Sequence, residues 1–199
     1  MLCNRRRTTV TLASEPGTFE EMLQVAAELD TPDGYKAELI RGKIVVSPWP
    51  RARELLSMRS LRRLLEPHTP EGYATETAPF LFRLTASERA FGPELFAAEE
   101  TAFAGPGRHA DGEALALVAE PATASERDVD WRDKLATYGR QVPVYLILDM
   151  QGQEITAFWD PSPRGYRSRT TVPFGHTLHV PAPFDFDLDT SGFRVPSGK

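Results

Sequence analysis

The stretch Leu115–Asp149, LALVAEPATASERDVDWRDKLATYGRQVPVYLILD, decides how this chain is read. Leu115 to Ala119 are apolar at consecutive positions, which predicts a strand covered on both faces and therefore central in its sheet. Glu120 closes that strand. After a charged connector, Asp128 to Gln141 has helical spacing in Trp131, Leu135 and Tyr138, and Gly139 and Pro143 mark its end. A second buried strand, VPVYLILDM, follows. Four residues span just over one helical turn, so Asp130, Lys134 and Tyr138 form a polar stripe beside the apolar face of Trp131 and Leu135. That stripe has two readings: an Asp130–Lys134 ion pair on a surface helix, or a lysine curled back toward the strand end that carries Glu120.

Outward from this block, the chain supplies partners for a sheet. Thr18 is a candidate N-cap, with Glu20 and Glu21 in the first turn and Met22, Val25, Ala26 and Leu29 forming an apolar stripe. YKAELIRGKIVVSPWP places two β-rich runs around Arg41-Gly42, which predicts a hairpin with glycine in the tight turn. From Ala52 to Leu65, Leu55, Met58, Leu61, Leu64 and Leu65 share one helical face while Arg59, Arg62 and Arg63 share another. Short strands follow in TETAPFLFRL and PELFAAEE, and EITAFWD, GYRSRTTV and HTLHV predict an antiparallel extension near the C-terminus. His176 and His179 in that extension are three apart, which on a strand puts them on opposite faces and argues against a shared metal. The expected organisation is a tail over 1–17, one domain over 18–190 and a second tail over 191–199. Its class is α/β (α+β), a mixed central sheet flanked by helices.

Composition narrows the function classes. A chain of 199 residues with 41% hydrophobic and 26% charged residues is ordinary for a globular protein. No apolar run approaches the ~20 residues that cross a bilayer, and the start MLCNRRRTTVTLA has basic residues without a following apolar segment. These features, with Cys3 as the single cysteine, make a cytoplasmic location the expectation. The net charge of -5 argues against a protein that coats nucleic acid. Between Arg51 and Glu66, however, five arginines face two glutamates, a local balance of +3 that leaves -8 for the remainder. Arg59, Arg62 and Arg63 are therefore candidate phosphate contacts, the competing reading being a solvated helix face.

Four segments carry a family resemblance: ELIRGKIVVSPWP, the Pro93-Glu94-Leu95 strand start, the apolar run ending in Glu120, and DWRDKLATYGRQVPVYLILD. Together they resemble the PD-(D/E)xK nuclease superfamily and, within it, the Uma2-like endonuclease family. The resemblance implies a restriction-endonuclease-like core and hydrolysis of DNA phosphodiester bonds with Mg2+ or Mn2+. It implies Glu94 and Glu120 as metal ligands, the Pro121 carbonyl as a further ligand, and Lys134 as the catalytic cation, moved from strand to helix. Glu38, Asp130 and Tyr138 take supporting places. Three departures stand out: Glu94 where the family usually has aspartate, Pro121 where valine commonly follows the glutamate, and Glu54 or Leu55 where a histidine often stands. The alternative from another class is a nuclease-fold module that binds DNA or assembles as a homodimer without cleaving.

Overall fold

The computed structural model describes residues 10–12, 17–49, 52–77, 80–122 and 130–193, with the side chains at 10–12, 52, 53, 130 and 131 outside the description. Strand β1 is Val10–Leu12, followed by helix α1 (Phe19–Glu28), β2 (Tyr35–Ile40), β3 (Lys43–Pro48) and α2 (Ala52–Leu65). Next come β4 (Tyr73–Glu76), β5 (Leu81–Leu84), β6 (Arg89–Phe91), β7 (Leu95–Glu99), β8 (His109–Asp111) and β9 (Leu115–Ala122). Helix α3 (Asp130–Tyr138) leads into β10 (Val144–Asp149), β11 (Glu154–Trp159), β12 (Ser168–Pro173), β13 (Thr177–Val180) and β14 (Phe186–Asp189).

Local chemistry explains the first elements. Thr18 and Glu21 form a capping box: Thr18 Oγ1 accepts from the Glu21 amide at 3.3 Å and Glu21 Oε2 accepts from the Thr18 amide at 2.8 Å. The β2–β3 turn holds Arg41 and Gly42 at φ 51° and 69°, the paired left-handed residues that a two-residue hairpin requires.

Two six-stranded sheets result, in the orders β1-β3-β2-β6-β5-β8 and β12-β11-β10-β9-β7-β4, with β13–β14 as a separate hairpin. The α+β class is as expected, but the single mixed sheet of the sequence reading is two stacked sheets. Each is mixed, containing one parallel pair, β5 with β8 and β9 with β10. Helix α3 is the crossover that the parallel β9–β10 pair needs. Helix α1 covers one face of the first sheet through Met22, Leu23 and Ala26, packed with Leu39, Ile44 and Ala90. Phe82, Phe91, Phe96, Val118, Tyr145 and Ile147 fill the space between the sheets. On the far face of the second sheet, Met58, Leu61 and Leu65 of α2 meet Leu117, Ala119 and Leu146, joined by Leu178 and Leu188 of the hairpin. Each such side chain, fully buried, contributes roughly 1.5–3 kcal/mol.

Several boundaries differ from the sequence expectation. Val10–Leu12 pairs with β3, so the first sheet begins inside the expected N-terminal tail. Phe193 is fully buried against Phe174, which brings the start of the expected C-terminal tail into the core. TETAPFLFRL divides between the sheets as β4 and β5, and FDLD, the end of the alternating run 184–189, forms β14 with Leu188 packed inward. Val25 and Leu55, expected on apolar faces, are exposed at 49% and 57%, and Leu23 takes the inner position of α1. Among the described residues no helix is long and apolar enough to cross a membrane.

Candidate active site

Strand parity delivers a set of charged groups into the space between the sheets. On β9, Leu117 and Ala119 point to the α2 side, while Val118 points to the first sheet; Glu120, two residues beyond Val118, shares its face. The register between β7 and β9 ends at Leu95 opposite Ala119. Glu94 immediately precedes β7 and lies close enough to Glu120 for the two carboxylates to repel. From the facing sheet, β2 turns Leu39 toward α1 and sends the alternate residues Lys36, Glu38 and Ile40 inward. Helix α3 adds Lys134 and, one turn on, Tyr138.

These groups converge. Lys134 Nζ lies 2.8 Å from Glu120 Oε1 and 3.0 Å from Glu38 Oε1. Lys36 Nζ lies 2.7 Å from Glu94 Oε1 and 3.6 Å from Glu38 Oε1, and donates to the Gly92 carbonyl at 2.5 Å. The Gly92 amide donates to Glu38 Oε1 at 2.9 Å, and the Tyr145 hydroxyl donates to Glu120 Oε2 at 3.0 Å. Lys134 also sits 5.6 Å from the centre of the Phe91 ring, a cation–π distance. Three carboxylates and two ammonium groups thus share one buried cluster with one net negative charge.

The fields inside the cluster differ from group to group. Burial alone would depress the Lys134 ammonium, but Glu120, Glu38 and Glu94 outweigh it and hold its pKa well above the usual lysine range. Burial likewise pushes Glu38 up, yet Lys134, Lys36 and the Gly92 amide together bring its carboxyl below the ordinary value. Glu120 goes the other way. Its burial, reinforced by Glu94 and Glu38, exceeds the attraction of Lys134 and Lys36, so its pKa is raised. Burial raises the Tyr138 phenol well above its usual range, helped by Glu120, Glu38 and Glu94, and its hydroxyl has no hydrogen-bond partner among the described residues.

A second ion pair positions the helix. Asp133, next to Lys134 and 7% exposed, accepts from Arg41 Nε at 3.0 Å and Arg41 Nη2 at 2.9 Å, with Arg89 Nε at 3.5 Å. Arg41 reaches it from the tight turn of the β2–β3 hairpin and Arg89 from β6, so α3 is tied to the first sheet at two points.

The sequence-derived candidates sort clearly. Glu38, Glu94, Glu120, Lys134 and Tyr138 come together. Pro121 continues β9 opposite Leu148, past the end of the β7 ladder, where a residue without an amide donor is tolerated. The Asp130 side chain lies outside the described residues. Arg59, Arg62 and Arg63 ride on α2, which packs on the face of the second sheet opposite the cluster. There Arg62 donates to the Thr75 carbonyl and to Glu76. Of the two residues offered for the absent histidine, Glu54 is buried and Leu55 exposed. Sequence reasoning missed Lys36, Tyr145, Asp133 and Arg41. The Lys36-x-Glu38 alternation on a strand was the available signal, since such spacing puts both on one face.

A family model described as "Putative restriction endonuclease", Uma2, matches residues 19–191. The chain belongs to the Uma2 family. No curated protein matches. Among solved structures, one described as "a putative nuclease belonging to DUF820" from Anabaena variabilis is similar, with a TM-score of 0.64 and 13% identity over 89% of this chain and 97% of that one. At that identity the likeness is one of fold.

The cluster of this Uma2 protein suits a hard divalent cation in donor chemistry, because its carboxylates are all oxygen ligands and Glu94 lies close enough to act on Glu120. Among the described residues, however, no group of three or more His, Cys, Asp or Glu side chains is arranged to hold a metal ion. Carboxylate oxygens of Glu38, Glu94 and Glu120 are turned instead to Lys36 and Lys134.

Proposed function

We propose that this Uma2 protein is a metal-dependent endonuclease that hydrolyses DNA phosphodiester bonds. The observation that carries the reading is the 2.8 Å contact of Lys134 with Glu120, at a strand end beside Glu94, whose next residue Leu95 pairs with Ala119. Glu94 and Glu120, with the Pro121 carbonyl, would hold Mg2+ or Mn2+. The bound ion would supply Lewis acidity toward a phosphate oxygen and an acidified water. Lys134, kept protonated by the carboxylates around it, orients Glu120 and offsets the negative charge that grows on the phosphate. Tyr145 fixes the second oxygen of Glu120. Glu38, with the Gly92 amide and both ammoniums on one oxygen, holds Lys134 and Lys36 in place.

Plasmid nicking in Mn2+ tests the reading. Glu120→Gln keeps the size of the side chain and the partner of Tyr145 but removes the charge, and cleavage is expected to fall by at least about 100-fold with folding unchanged. Full cleavage by that variant overturns the assignment. The engagement of both ammoniums with the carboxylates favours a second reading, a DNA-binding or homodimeric assembly module on the nuclease fold that does not cleave. DNA retention by the unaltered protein in EDTA, together with no Mn2+ binding, would support the module.

A further inference from the structure

The environment of Lys36 is that of a bound cation. Its ammonium is surrounded by three oxygens from separate groups: Glu94 Oε1 at 2.7 Å, the Gly92 carbonyl at 2.5 Å and Glu38 Oε1 at 3.6 Å. Two carboxylates and a peptide carbonyl are also the donor types that hard divalent ions take. The lysine stem runs along Gly92, close enough that a Cβ there would touch Lys36 Cδ at an ordinary van der Waals distance of 3.8 Å. Another buried polar group lies in the field of the same carboxylates. Tyr138 is fully buried, its hydroxyl has no partner among the described residues, and all three carboxylates act on it.

We propose that Lys36 is a resident counter-ion on Glu94, the carboxylate it shares with the Glu94–Glu120 metal site, so that a divalent ion enters between Glu94 and Glu120 by displacing the ammonium from Glu94. Charge balance supports the exchange. With both ammoniums in place the cluster carries one net negative charge, and a divalent ion added beside them would make it one net positive. If Lys36 leaves as the ion arrives, the buried cluster becomes neutral, the state that burial penalises least. The two lysines are similarly buried, at 11% and 8% exposure, but Lys36 meets one carboxylate closely, Glu94 at 2.7 Å with Glu38 at 3.6 Å, whereas Lys134 lies within 3.0 Å of two and 5.6 Å from the Phe91 ring centre. Lys36 and Lys134 then have different duties: one is exchangeable and the other stays.

This inference rests on the nuclease reading for the identity of the ion, and direct binding separates the two. Mn2+ affinity is measured by titration calorimetry and by the electron-spin signal of free Mn2+, at one pH, for the unaltered protein, Lys36→Met and Lys36→Gln. Both variants are expected to bind Mn2+ at least about tenfold more tightly, since a positive charge next to the ion has been removed. The gain is expected to vanish in Lys36→Met combined with Glu94→Gln. Thermal unfolding gives a readout independent of cleavage: the single variants, left with two uncompensated negative charges, melt lower in EDTA and are raised by Mn2+ more than the unaltered protein is. Lys36→Gln keeps a donor for the Gly92 carbonyl and serves if the methionine variant does not fold. Equal Mn2+ affinity with and without Lys36 overturns the displacement and leaves the nuclease reading standing. Tight binding only in the variants supports the displacement and transfers the unaltered protein to the non-cleaving reading. Binding in none of them overturns both.

Discussion

Replacing Lys134 by methionine removes the ammonium while keeping most of the stem's volume. In the folded protein this leaves Glu120 and Glu38 with one cation, Lys36, for three carboxylates. Removing one partner of a buried ion pair costs about 3–5 kcal/mol, because the remaining charge is desolvated without compensation. For a chain of this length that corresponds to a fall in Tm of roughly 6–20 °C. The loss carries a pH signature whose sign follows from Glu120. Its carboxyl already titrates above the ordinary range, so its ionised form is disfavoured by folding, and stability rises as the pH falls through its folded pKa. Without Lys134 that pKa moves higher still, and the variant regains stability as the pH falls from neutrality toward the ordinary carboxylate range. The ammonium itself behaves oppositely. With a folded pKa raised above the unfolded one, it contributes fully at neutral pH and is lost only in the alkaline range above ~10.5. Urea unfolding followed by far-ultraviolet circular dichroism at both acidic and neutral pH measures the effect. A loss below about 1 kcal/mol, or a loss equal at the two pH values, would refute the burial argument.

Other outcomes follow from the same geometry. Asp133→Ala leaves Arg89 without its acid and unties α3 from the hairpin turn; stability should fall by about 1–3 kcal/mol in denaturant titration, and any cleavage should fall with it as Lys134 loses its alignment. Arg59→Ala with Arg63→Ala alters side chains on the far face of the second sheet, so the salt slope of DNA binding should be unchanged, and a slope reduced by about 2 would place α2 in the interface. Gly139→Ala puts a Cβ 2.8 Å from the Leu135 carbonyl, 2.8 Å from the Tyr166 amide nitrogen and 2.9 Å from Gly165 Cα. Those are backbone contacts that cannot rotate away, and thermal melting should register about 1–3 kcal/mol.

How much of this was legible differs by element. The α1 cap, the Arg41-Gly42 turn and the apolar runs of β9 and β10 were readable because each depends on neighbours within one turn or one strand. The three-residue strands β6 and β8 were not, since Arg89–Phe91 and His109–Asp111 are too short to show a period and exist through pairing with distant partners. The basic face of α2 was legible as one side of an amphipathic helix, yet its side of the molecule was decided by Met58, Leu61 and Leu65 packing behind the second sheet.

By itself, then, the amino-acid order determined that a buried strand ends in Glu120 and that a helix follows it bearing Lys134 and Tyr138. Only the tertiary structure decided that these belong to one cluster, with Lys36 on Glu94 and Lys134 shared by Glu120 and Glu38. Spacing along a chain sets which face a side chain takes, whereas convergence across two sheets depends on register and layer packing, which are sums of contacts between residues far apart in sequence.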